Sequence, residues 1–248
     1  MNISFLIRVH NEERTLEKSI RSLFSITIPK EIVIILHNCE DKSQEIAERL
    51  QKEESSIKIF HYEYELSRAG VETLCTNSDS IHSIVSYCNW CLKKCSNTWK
   101  FKWDADFIMT DELAHFINNN LVNHSKKRFY LIAQNTTHSN TELYLSDSIT
   151  GYSKHIFWEV PFYSESTEEK LPYHFIHDSE LTDMKSYWKK EPWYNEDNSI
   201  EAKIVAGRIA DITNKYGAEP QGMARASNPE CDSYLQNIIQ DSTLNFFK

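Results

Sequence analysis

The chain has 248 residues, 40% of them hydrophobic, and a formal net charge of −9. That charge excludes a nucleic-acid-binding surface, which needs clustered Lys and Arg; the one dense basic run, Lys126-Lys127-Arg128, reads as the solvated end of a helix. No stretch is apolar over the roughly 18 residues of a membrane helix, and no basic-then-apolar leader opens the chain, so the expectation is a cytoplasmic protein without a transmembrane segment.

Ile3 to Val9 is nearly all apolar, the pattern of a strand buried on both faces. Asn11-Glu12-Glu13 breaks it, and Leu16, Ile20, Leu23 and Phe24 then recur at helical spacing until Pro29. Glu31 to His37 predicts a second buried strand and Asn38 to Asp41 a turn. Asp41 with Gln44 resembles a capping box for a helix carrying Ile46, Ala47 and Leu50. Ile57 to Tyr64 predicts a third strand. Strand, helix, strand, helix, strand in succession implies right-handed crossovers and a parallel sheet.

Ser67 to Ser80 is polar and irregular. A helix is predicted next, with Ile81, Ile84, Val85, Cys88, Leu92 and Cys95 on one face. The six cysteines are too sparse for a disulfide framework. Cys88, Cys91 and Cys95 have no fourth ligand near them in the sequence, and read as buried free thiols rather than a metal site.

Trp99 to Trp103 alternates apolar and polar, a strand with two different faces. It runs into Asp104-Ala105-Asp106, and Thr110-Asp111-Glu112 opens a further helix through Leu113, Phe116, Ile117 and Leu121. In extended backbone Asp104 and Asp106 point the same way. Two such carboxylates suit a hard divalent cation, Mg²⁺ or Mn²⁺; they also suit a turn and a helix cap. Three polar breaks, His10 to Glu12, His37 to Asp41 and Asp104 to Asp106, fall at strand ends where an open parallel sheet binds ligands. Short strands are predicted at Phe129–Ala133, Thr141–Leu145 and His155–Val160, and helices near Ser179–Lys190, Ile200–Tyr216 and Cys231–Asp241.

The first 110 residues resemble the family 2-like glycosyltransferases of the GT-A fold. The resemblance rests on Asn11-Glu12 after the first strand, on Asp41 and Ser43 in the turn after the second, and on Ser67-Arg68-Ala69-Gly70. It rests also on Asn89, fifteen residues before the first Asp of the D-x-D motif Asp104-Ala105-Asp106. His37 stands where a carboxylate usually ends the second strand, and Cys88 where an Arg precedes the Asn. The first change implies a less exclusive preference for uridine nucleotides.

The resemblance implies an α/β GT-A fold: a Rossmann-like, mostly parallel central sheet flanked by helices, with a mixed α+β acceptor half. Residues 1–110 would be the nucleotide-sugar half and 111–248 the acceptor half of one continuous domain. The implied reaction moves a sugar from a nucleotide-diphosphate sugar to a hydroxyl of a glycan, lipid-linked sugar or protein acceptor, in glycan or surface polysaccharide synthesis, with peripheral membrane contact open. Mn²⁺ or Mg²⁺ would be held by Asp104 and Asp106, with His177 favoured over His174 as a third ligand. Asn11, Glu12, His37, Asn38, Asp41, Arg68 and Asn89 would line the nucleotide site, with Val9 and Trp103 as its wall or as core. An inverting enzyme needs a general base, and Glu159, Glu165 and Asp178 are the candidates. Trp188 and Trp193 offer faces to a sugar or anchor the C-terminal half. Two other readings stay open: a nucleotidyltransferase acting on a sugar phosphate, which should carry a glycine in the Arg8 to Arg14 loop and does not, and a non-catalytic nucleotide-sugar-binding module.

Overall fold

Ile3, Phe5, Ile7 and Val9 alternate with Ser4, Leu6 and Arg8, and all but Arg8 are buried. A strand with two covered faces has to lie inside a sheet. The computed structural model describes residues 2–67, 76–121, 124, 128–133, 143–154, 159–164 and 169–178. Arg68, Glu165, Trp188, Trp193 and the three C-terminal helical patterns lie outside them.

Strands β1 (Ile3–Val9), β2 (Lys30–His37), β3 (Ile57–Tyr62) and β4 (Trp99–Asp104) run parallel in the order β3-β2-β1-β4. The winding therefore reverses between β1 and β4. The sheet continues through β7 (Leu143–Ser146), β6 (Arg128–Ala133), β10 (Glu169–His177) and the short β5 (Phe107–Ile108), eight strands among the described residues. β7 runs antiparallel to both β4 and β6, and β5 is antiparallel to β10. A separate pair joins β8 (Ile149–Lys154) and β9 (Glu159–Tyr163).

The described helices are α1 (Leu16–Ser22), α2 (Ser43–Glu53), α3 (Ile84–Leu92) and α4 (Asp111–Asn119). Thr110 caps α4, its hydroxyl oxygen accepting the Leu113 N–H. Two departures from the sequence pattern have local causes. Asp41 does not form a capping box: its carboxylate accepts from Ser43 N and Glu13 N, and Gln44 turns along the helix to Glu48. Ile81 and Cys95 fall outside α3, and Ile81 is solvent-exposed.

The chain divides into two compact units. Met1–Glu65, Asn89–Gly151 and Phe162–Ser179 form one, which holds the eight-stranded sheet; the described parts of the other come from 66–88 and 152–161. The core of the first is aromatic. Trp103 is fully buried, with Phe5, Phe101, Phe107 and Phe175 at ring separations of 5.2–6.3 Å, each such pair contributing about 0.5–1.5 kcal/mol beyond its buried area. The described cysteines, Cys39, Cys88, Cys91 and Cys95, are free thiols. Among the described residues no helix is long and apolar enough to cross a membrane.

At the edge of the sheet where β1 begins, buried Glu31 accepts hydrogen bonds from Ser4 Oγ at 2.5 Å, Lys58 Nζ at 2.5 Å and Ser96 Oγ at 2.7 Å. Burial pushes its pKa up, but these donors outweigh it and hold the carboxyl down at about 2, against an ordinary 4.5. A depressed carboxylate stabilises the fold above its unfolded pKa and loses that contribution as pH falls through the folded one. At most about 3 kcal/mol is therefore lost between pH 4.5 and 2. Glu31→Gln is expected to forfeit it already at pH 7 and to flatten the acid limb of the stability curve. Urea unfolding at pH 7 and pH 3 checks this, and a wild-type midpoint for the variant at pH 7 contradicts it.

Candidate active site

The loops after β1 and β2 are stitched together at the carboxyl edge of the sheet. Asn11 and Asn38 both adopt positive φ, 58° and 43°, a conformation that Asn tolerates better than most residues. With the backbone so turned, Asn11 Oδ1 accepts from Glu40 N at 2.8 Å, Glu12 N donates to Ser43 Oγ at 2.8 Å, and Glu13 N donates to Asp41 Oδ2 at 2.8 Å. Asn11, Asp41 and Ser43 thus fix the shape of the rim.

His37 closes β2. Its Nε2 lies 3.0 Å from the Tyr64 carbonyl and therefore carries the proton, and burial holds the ring pKa below its usual value. His10, which opens the first of the three polar breaks, donates from Nδ1 to the His37 carbonyl at 2.7 Å, and the two rings stand 5.3 Å apart. Tyr62 lies 6.2 Å from His37 and 5.1 Å from Trp90, extending an aromatic shelf along this edge.

β4 ends at Asp104, and Ala105 and Asp106 form a turn rather than the extended backbone expected. The turn sends the two carboxylates to different partners. Asp104 Oδ2 lies 3.4 Å from Lys102 Nζ. Asp106 Oδ2 lies 2.8 Å from His177 Nε2, and this hydrogen bond holds the imidazole pKa above its usual value. Pairing of β10 with β5 brings His177 there, opposite Phe107. The next residue, Asp178, donates its backbone N–H to the Asp106 carbonyl at 2.7 Å and pairs with Lys18 of α1 at 2.8 Å. His174 is turned elsewhere, its Nδ1 3.0 Å from the Ile132 carbonyl.

Glu12 faces this cluster. Burial and the charges of Asp106 and Asp104 push its pKa up to about 7, the Thr15 hydroxyl opposing them. A raised carboxyl pKa costs stability increasingly as pH climbs from 4.5 through 7. In the metal-free protein at pH 8, Glu12→Gln is expected to raise the unfolding temperature by several degrees, and at pH 4 to change it little. An equal or lower value at pH 8 contradicts the assignment.

Among the described residues no three His, Cys, Asp or Glu side chains already converge as a metal shell; Asp106 and His177 face each other instead. Val9 and Trp103 are core, and Trp103 Nε1 donates to Ser19 Oγ inside the unit at 3.0 Å. Asn38 Nδ2 reaches Glu65 at 3.5 Å. Asn89 lies against β8, its Oδ1 3.1 Å from where a Cβ on Gly151 would sit. Glu159 lies in β9, within the second unit.

Residues 4–70 match the family described as Glycosyl transferase family 2. The matched stretch runs from the second residue of β1 through β3 and takes in the stitched rim. A mannosyltransferase from Pyrobaculum calidifontis, PcManGT, in complex with GDP-Man and Mn²⁺, superposes with a TM-score of 0.52 at 10% identity, covering 96% of this chain and 84% of that one. The likeness shows the fold, a GT-A-type α/β sheet. S. aureus TarS 1–349 in complex with UDP-GlcNAc aligns with a TM-score of 0.44 at 15% identity, over 57% of this chain. This chain spans 37% of that one. No curated protein matches the sequence.

Proposed function

We propose that the protein is a metal-dependent glycosyltransferase that moves a sugar, with inversion, from a nucleotide-diphosphate sugar to an acceptor hydroxyl, in glycan or surface polysaccharide synthesis. The observation that carries this is the Asp106–His177 pair at the winding reversal between β1 and β4, with Glu12 within electrostatic reach of Asp106 and Asp104. The family 2 match and the likeness to a mannosyltransferase whose structure holds GDP-Man and Mn²⁺ support it.

The donor set fits a divalent cation. Two carboxylates and an imidazole are suitable ligand types; the pKa of Glu12 is raised first by burial and then by the charges of Asp106 and Asp104, and such an ion would relieve the second effect. Asp106, His177 and, directly or through water, Asp104 would hold Mn²⁺ or Mg²⁺, which supplies charge to stabilise a departing diphosphate. Asn11, Asp41 and Ser43 keep the rim in shape, while Glu12, His37 and Asn38 contact the nucleotide and Asn89 supports the site. Of Glu159, Glu165 and Asp178, the base is best assigned to Asp178, one residue from His177 and in the same unit as Asp106. Its carboxylate takes the proton of the acceptor hydroxyl as that oxygen attacks the sugar.

A panel of UDP-, GDP- and other nucleotide sugars, each with Mn²⁺ and with EDTA, tests the reading by thermal shift. At least one donor should stabilise the protein in Mn²⁺ and lose that effect in EDTA. Stabilisation by none, or equally in EDTA, contradicts it.

A further inference from the structure

We infer that Lys102 is a further catalytic residue of the proposed transfer, its ammonium contacting the donor's diphosphate and meeting the charge that arrives there as the sugar leaves. The inference rests on the transfer reading above.

Alternation along β4 sets it up. Trp99, Phe101 and Trp103 are buried in the core, and Lys100, Lys102 and Asp104 take the opposite face. The two lysines then diverge. Lys100 Nζ is drawn back to the Asn97 and Thr98 carbonyls, at 3.0 and 3.3 Å, where the strand begins. Lys102 Nζ is drawn forward to Asp104 Oδ2 at the carboxyl rim, at 3.4 Å. That separation is longer than the roughly 2.7–2.9 Å of a tight charge-assisted hydrogen bond. The Lys102 side chain also stays 30% exposed, so the ammonium has donors to offer a second anion. The other rim lysine, Lys18, sits closer to its partner Asp178, at 2.8 Å.

The chemistry calls for such a cation. Asp106, Asp104 and Asp41 each act electrostatically on Glu12 at this rim, and an incoming diphosphate would add to the repulsion. In the transfer the bond from the anomeric carbon to the diphosphate oxygen breaks, and its electron pair stays on that oxygen. The acceptor oxygen bonds to the same carbon and gives its proton to the base. The diphosphate gains one negative charge in this step, beside the carboxylate that Lys102 already contacts, and an ammonium placed there stabilises the transition state more than the ground state.

Lys102→Met and Lys102→Arg test this, with thermal unfolding first showing that each is folded. Titration calorimetry in Mn²⁺ compares UDP with UMP and GDP with GMP. Lys102→Met should weaken the diphosphate that the wild type binds by about tenfold and the matching monophosphate far less. With a donor that the wild type turns over, kcat should fall by about 10², and Lys102→Arg should restore most of both. Unchanged diphosphate affinity and kcat in Lys102→Met overturns the inference, as does equal weakening of mono- and diphosphate, the mark of a residue that only props Asp104. Failure of the wild type to bind either diphosphate overturns the transfer reading and this inference together.

Discussion

Asp106→Ala is expected to lower transfer by more than about 10³-fold, and to remove the dependence of nucleotide binding on Mn²⁺, without unfolding the protein. Asp106 is in the turn after β4, its side chain 30% exposed and hydrogen-bonded to His177. Losing one partly exposed hydrogen bond costs about 1 kcal/mol, and the backbone link from Asp178 N to the Asp106 carbonyl does not involve the side chain. The proposed ion, by contrast, would lose its central carboxylate, and His177 would lose the partner that orients it. Asp106→Asn keeps the shape and removes the charge, separating the two effects. Full turnover in either variant, or in EDTA, contradicts the assignment.

Asp178→Asn is expected to cut transfer by about 10²–10⁴ while leaving nucleotide affinity nearly unchanged, because a general base acts only in the chemical step. The isostere keeps the backbone donor to Asp106 and can still accept from Lys18, so its loss is that of proton acceptance. Glu159→Gln and Glu165→Gln serve as comparisons and should transfer nearly as well as wild type. If Asp178→Asn transfers normally and one of the others does not, the base lies there. If all three transfer normally, the anomeric configuration of the product, read by NMR, decides between a base elsewhere and a retaining reaction.

Much of this arrangement is legible in the sequence, for identifiable reasons. β1 and β2 are buried on both faces, so their runs of Ile, Leu and Val stand out without alternation. β4 shows strict alternation because one face meets the aromatic core and the other carries Lys100, Lys102 and Asp104. β10 escapes notice because Pro172 interrupts it; the register with β6 shifts between Lys170 and His174, where an N–H is missing from the ladder. Asp104 and Asp106 are found by spacing, but the turn that parts their side chains is tertiary, since His177 draws Asp106 aside.

The side-chain pairings at the site that the sequence does not display share another cause. His10 follows the last residue of β1 and His37 is the last residue of β2, with Val9 and Leu36 in register; only the pairing makes them neighbours. Lys18 and Asp178 are 160 positions apart, and no local pattern links them. Lys102 was within reach, because the period of β4 places it on the face of Asp104. The elevated pKa of Glu12 comes from burial, which composition does not report.

In the proposed transfer, the bond broken lies between the sugar and the diphosphate. The wild-type protein is incubated with the nucleotide sugar that stabilises it, Mn²⁺ and a panel of carbohydrate acceptors, and ³¹P NMR of the products, after Mn²⁺ is removed on chelating resin, reads which bond was cut. The expected result is release of the nucleoside diphosphate, dependent on Mn²⁺ and absent in Asp106→Ala. Release of pyrophosphate, of nucleoside monophosphate with sugar phosphate, or of no phosphorus product at all would contradict it.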